Sequence, residues 1–318
     1  MTDKQINRWL RRRFSPIGWL LLIYCGIMTL LTSLTTLTDL IKQYFWAFAA
    51  GDFSGQINWD ILYGNAWGYI AAMLAGFAIL FAWKGNTCWK QEILAKEAPM
   101  NWKTFLCFLI FCMGAQMASS LWITLLELLL MPAGKSVMPV LENVAGSSDT
   151  FSMFLYASIL APVWEELLFR GYILRALRPY GKRFAVLCSA LLFGLFHGNL
   201  LQTPYAILMG LLFGYVTVEY SIGWAVLLHM FNNLVLADLL TRLTAEWSEM
   251  AMGTLNLLLF GGSAILSLVI LFKNRYVIRA YRKNEWMDRR CLRCFFTSPG
   301  ILVLTMVMCI SMITMFFA

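Results

Sequence analysis

Charge is scarce in this 318-residue chain: Asp, Glu, Lys and Arg make up 13% of it, about half the share usual in a soluble domain. Hydrophobic residues reach 60%, and the mean hydropathy is +0.68. That balance excludes a water-soluble globule. Also missing are the ~10-residue alternating segments of a membrane β-barrel. Histidine is rarer still, with only His197 and His229. The eight cysteines are scattered, mostly inside apolar runs, and read as small buried hydrophobes rather than a disulfide framework. Cys291 and Cys294 have zinc-site spacing, but no second pair or nearby histidine completes four ligands. There is no internal repeat, heptad array or low-complexity tract.

What remains is a succession of apolar runs of about 20 residues, each long enough for the hydrocarbon core of a bilayer. The fold class expected is all-α, a polytopic transmembrane bundle of about nine spans, with eight as the alternative. The spans fall near 17–38, 62–83, 105–131, 151–178, 184–199, 204–220, 224–240, 255–272 and 301–317, and 132–150 reads as a loop. The first run is longer than the apolar region of a signal peptide and meets Asp39 and Lys42, so it reads as an uncleaved span, with cleavage behind Ala47-Phe-Ala49 the weaker alternative. With the N-terminus in the cytoplasm, 21 of the 25 Lys and Arg face that side, three lie in outer loops and Arg170 stays inside a span. Cytoplasmic loops are enriched in cations, so the pattern predicts N-in, C-out. The net charge of +8 is therefore a topology signal, with attraction to anionic lipid as a corollary. Cations dispersed over several loops are no nucleic-acid footprint. Three parts follow: 1–150 with a basic head and three spans, a core at 151–240, and 241–318 with a basic loop between its spans.

The core carries polar groups that hydrocarbon does not tolerate without partners: Glu165-Glu166 with Arg170, Phe193 with His197, and His229 with Asn232-Asn233. Counting rises from the polar helix ends puts Glu165, His197 and His229 at similar depth, roughly 15–21 Å in. Glu166 and Arg170 stand at i, i+4 and can pair. Glu165 is turned by about 100° from Glu166, so the two carboxylates cannot both enter one pocket. One division gives Glu166 to Arg170 and leaves Glu165 for chemistry; the residues alone do not assign the roles. His229 and Asn233 are likewise i, i+4 neighbours, and Phe193 reads as packing. Glu127 is a lone carboxylate, divided between structural and pathway roles. The chemistry this set suits is addition of water to a carbonyl, with a glutamate as general base and acid, a histidine orienting the water, and an imidazole plus an amide facing the oxyanion. Paired polar side chains also serve as interhelical glue, and that reading stands beside the catalytic one.

Glu-Glu-x-x-x-Arg, then Phe-x-x-x-His, then His-x-x-x-Asn resembles the CPBP intramembrane proteases, the CAAX prenyl endopeptidase and bacteriocin-processing (Abi) family, over about 151–240. The resemblance implies an intramembrane endopeptidase in which Glu165 and His197 activate water, His229 and Asn233 form the oxyanion site, and Glu166 and Arg170 complete the first motif. Asn232 is the alternative to Asn233. The family is usually classed as metalloprotease, yet no His-Glu-x-x-His helix occurs here. One divalent metal such as zinc, or none, both fit the resemblance, with direct glutamate and histidine action favoured. The implied partners are the bilayer and a peptide or lipidated protein substrate, either a prenylated tail or a leader-type peptide, and the implied compartment is a bacterial plasma membrane. The rival readings are a proton-coupled transporter, for which the duplicated halves are missing, and a non-catalytic immunity or scaffold protein.

Overall fold

The computed structural model describes residues 2–52, 54–88, 97–145, 150–285 and 287–315, and every regular element in them is a helix. Lys90, Lys96 and the last residues, 316–318, which figure in the charge count and the C-terminal reading, lie outside the described residues. The long elements are α1 (Asp3–Ala49), α2 (Trp67–Cys88), α3 (Trp102–Leu130), α4 (Phe151–Tyr180), α5 (Lys182–Phe196), α6 (Thr203–Glu219), α7 (Ile222–Leu243), α8 (Glu249–Lys273), α9 (Arg275–Asn284), α10 (Arg289–Phe296) and α11 (Pro299–Thr314).

A helix occupies each of the nine expected segments, but length and hydropathy separate them. Five are long and apolar enough to cross a membrane: α1, α3, α4, α7 and α8; a sixth is reached if α10 and α11, bent by 62°, form one broken span. Helices α5 and α6, of 15 and 17 residues, extend only roughly 22 and 25 Å, short of a hydrocarbon core of ~30 Å. The chain is an integral membrane protein.

The basic head is the start of α1, opened by a capping box in which Thr2 and Gln5 satisfy each other's backbone N–H. Two expectations need correction. The stretch read as a loop holds a short helix, Met138–Ala145, and Glu127 accepts from the Ser136 hydroxyl and the Val137 N–H just before it. The basic segment after α8 folds as two amphipathic helices, α9 and α10.

The core is aromatic at the polar end of the bundle. Phe14 of α1 meets Phe184 of α5 and Phe295 of α10 at ring distances of 5.6 Å each. Deeper, Tyr24 of α1 packs on Trp164 of α4. Helices α5 and α6 form a tight hairpin in which Gly194 permits the approach: a Cβ there would sit 2.4 Å from Ile207 Cγ1. Such small-residue contacts bring membrane helices together where hydrophobicity alone cannot, and this one sets where α5 delivers His197.

Candidate active site

Helix α4 is not a regular α-helix where its polar residues sit. Wide π-turns at Tyr156–Leu160 and Leu167–Leu174 flank the α-helical Ala161–Glu166, and α7 has another at Phe231–Leu239. Single π-turns inside α-helices mark places where the hydrogen-bond ladder is traded for side-chain placement. In α4 the cause is legible. The Ala161 N–H bonds to the Tyr156 carbonyl five residues back, so in the same register the Ala157 carbonyl would need a donor at residue 162. Pro162 has none. The orphaned oxygen accepts instead from Asn233 Nδ2 of α7, at 3.0 Å.

That bond fixes a chain of amides. A carbonyl can only accept, so the Asn233 NH2 faces Ala157 and its Oδ1 takes a hydrogen from Asn232 Nδ2 at 3.0 Å. Asn232 Oδ1 then accepts twice, from Tyr205 Oη at 2.6 Å and from Gln116 Nε2 at 3.1 Å. Neither Tyr205 on α6 nor Gln116 on α3 belongs to a polar motif, so the sequence pattern does not mark them. On α7, Asn232 lines the same cavity as His229 and Asn233.

The two carboxylates part as the helix rotation requires. Glu166 and Arg170 are fully buried and joined at 2.8 Å. Glu166 Oε1 also accepts from His229 Nδ1 at 2.9 Å. The Arg170 guanidinium lies 4.3 Å from the Phe193 ring centre and 5.5 Å from that of Phe213, a cation–π arrangement that offsets part of its burial. Phe193 is thus more than packing, because its carbonyl also accepts from His197 Nδ1 at 2.8 Å. Glu165 turns the other way, with its side chain 26% exposed and its Oε2 3.7 Å from His229 Nε2, within ion-pair range but beyond a hydrogen bond.

Glu165, His197, His229, Asn232 and Asn233 all line one cavity of about 490 Å³, together with Gln116, Tyr205 and Phe213. Both imidazoles spend Nδ1–H on fixed acceptors, which leaves each Nε2 as the ring atom without one of these anchoring bonds. As arranged, the donors do not fit a metal: among the described residues no three His, Cys, Asp or Glu side chains are grouped to hold one. Cys291 and Cys294 are free thiols that contact Asp288 and Asn7.

Residues 147–235 match the model of the Rce1-like family, described as type II CAAX prenyl endopeptidase Rce1-like. This segment is similar to an Rce1-like domain. It spans a little over a quarter of the chain and contains Glu165, Glu166, Arg170, His197, His229 and Asn233, whereas Gln116 reaches the site from outside it. No curated protein and no solved structure matches the chain.

Proposed function

We propose that the chain is an intramembrane endopeptidase that hydrolyses a peptide bond of a membrane-associated protein or peptide, a prenylated CAAX-type tail or a leader-type peptide, in a bacterial plasma membrane. The observation that carries this reading is the convergence of Glu165, both histidines and both asparagines on one cavity inside an Rce1-like domain.

In the proposed reaction Glu165 takes a proton from water as the water oxygen adds to the scissile carbonyl carbon. The same proton passes to the amine nitrogen as the C–N bond breaks. His197 Nε2, with its lone pair free while Nδ1–H is held by Phe193, accepts the second hydrogen of that water and orients it. The developing oxyanion faces His229 Nε2 and the amide hydrogens that Asn232 and Asn233 do not spend on the chain. His229 donates from Nε2 only as imidazolium, because its other N–H belongs to Glu166. Glu166 and Arg170 position His229, and Tyr205 and Gln116 position Asn232. Removing one oxyanion donor from such a site costs roughly 100- to 1,000-fold in turnover.

The test is cleavage of a fluorogenic prenylated peptide and a panel of leader peptides by detergent-purified protein. Wild type is expected to cut, and Glu165→Ala and His197→Ala to lose at least ~100-fold. Equal cleavage by all three overturns the assignment. A chelator arm separates direct glutamate–histidine chemistry, which persists, from a metal-assisted one, which is lost and returns with zinc.

A further inference from the structure

We propose that the groove between the start of α1 and the start of α11 is a binding site for the phosphate headgroup of an anionic phospholipid. A cavity of about 530 Å³ lies there, lined by Lys4, Asn7, Arg8, Arg11, Arg12, Ser15 and Pro299. Its size is within the ~300–1,000 Å³ of small-ligand sites. Everything polar on its wall is arranged to donate. Lys4, Arg8, Arg11 and Arg12 have no carboxylate partner among the described residues, although Arg11 Nε reaches the Thr297 hydroxyl at 3.0 Å. Asn7 spends its carbonyl oxygen on the Cys294 thiol, 3.6 Å away, which turns its NH2 to other acceptors. Ser15 Oγ accepts the Gly300 N–H at 2.9 Å, which leaves its O–H to give.

The other cations near this end of the bundle are used differently. Arg290 pairs with Asp3, Arg175 and Arg178 with Glu97, and Lys182 with Glu219 and Glu285. Lys4, Arg8 and Arg12 instead stack at i, i+4 and i+8 on one face of α1, where like charges repel. An anion seated among them removes that repulsion, and a phosphodiester matches guanidinium donors in charge and geometry.

A lipid rather than a soluble phosphate follows from the surroundings. The groove sits where α1 passes from its basic turns into apolar sequence, flanked by the exposed Trp9 and Trp19, the residue type that gathers at membrane–water interfaces. The amphipathic α10 meets α11 at 62° beside it, as a helix lying at headgroup level does. Above the groove, Ile23 of α1 and Leu302, Val303 and Met306 of α11 are exposed, and acyl chains can run along them.

The experiment is titration of the full-length, detergent-purified protein with phosphatidylglycerol, phosphatidylcholine or glycerol phosphate, read by native mass spectrometry and by thermal shift. Wild type is expected to hold phosphatidylglycerol at least tenfold more tightly than phosphatidylcholine, and R8Q/R12Q to lose roughly tenfold of that preference. Asn7→Asp keeps the acceptor for Cys294 but adds a negative charge to the wall, and is expected to abolish the preference without unfolding the chain. R279Q/K283Q removes the same charge from α9 and should change nothing. Equal loss in R279Q/K283Q, or undiminished retention in R8Q/R12Q, overturns the site. Glycerol phosphate binding as tightly as the intact lipid overturns the lipid assignment.

Discussion

Asn233 donates its side-chain N–H to the Ala157 carbonyl oxygen at 3.0 Å, a bond between two helices that joins the last polar motif to the turn before the first. The acceptor is free because residue 162 is proline. Pro162→Ala would give that position a backbone N–H able to close on Ala157 and compete with Asn233. Turnover is expected to fall about tenfold while the unfolding temperature stays close to wild type. Unchanged turnover, measured beside thermal unfolding in the same detergent, would show that Asn233 holds its orientation without Ala157.

Tyr205→Phe tests the other end of the amide chain. The ring is kept and only the hydroxyl that donates to Asn232 is removed, with Gln116 left as the remaining donor. A loss of about 1 kcal/mol is expected, seen as a roughly five- to tenfold lower kcat with KM unchanged. A change in KM alone would make Tyr205 a substrate contact.

Arg170→Met addresses the buried pair. Glu166 would keep His229 but lose its full-time cation inside the bundle, and stripping one partner from a buried pair typically costs ~3–5 kcal/mol. Thermal unfolding should therefore drop steeply, and more than in a Glu166→Gln/Arg170→Met double variant, which leaves no unpaired charge. Equal destabilisation of single and double variants would contradict this account.

At the polar end, the hydrogen bond from Arg178, reinforced by Arg175, holds the Glu97 carboxyl below the usual carboxylate range. A lowered carboxylate pKa contributes stability above the unfolded value, and that stability is lost as pH falls through the folded one. Glu97 is partly exposed, so the contribution is under ~1 kcal/mol. The difference in unfolding temperature between wild type and Glu97→Gln is expected to be small at neutral pH and to vanish in acid. A difference that persists below the carboxylate range would assign it to packing.

Much of the site could be read from the chain because periodicity and depth are sequence properties. Hydrophobic run lengths and the flanking prolines placed helices at all nine segments, and the i, i+4 offset anticipated the contact between Glu166 and Arg170. What could not be read depends on partners far along the chain. Gln116 and Tyr205 sit in mostly apolar helices, and nothing local marks them as neighbours of Asn232. The π-turn before Pro162 leaves the Ala157 carbonyl to find its donor across the bundle, in Asn233, and Pro162 is the local signal for that turn. The span count was harder for the same reason, since α5 and α6 are short helices whose placement depends on Gly194 packing rather than on length.

The crossing of α1 and α11 leaves no room for a side chain at its two glycines. A Cβ on Gly18 would meet the Gly300 backbone at 2.2 Å, and one on Gly300 would meet the Ser15 carbonyl at 2.1 Å. Helix α1 therefore finds a close backbone partner in a helix far along the chain. A larger residue at either glycine would push α11 off α1. The two helices form a clasp, and Gly18 and Gly300 are its two halves.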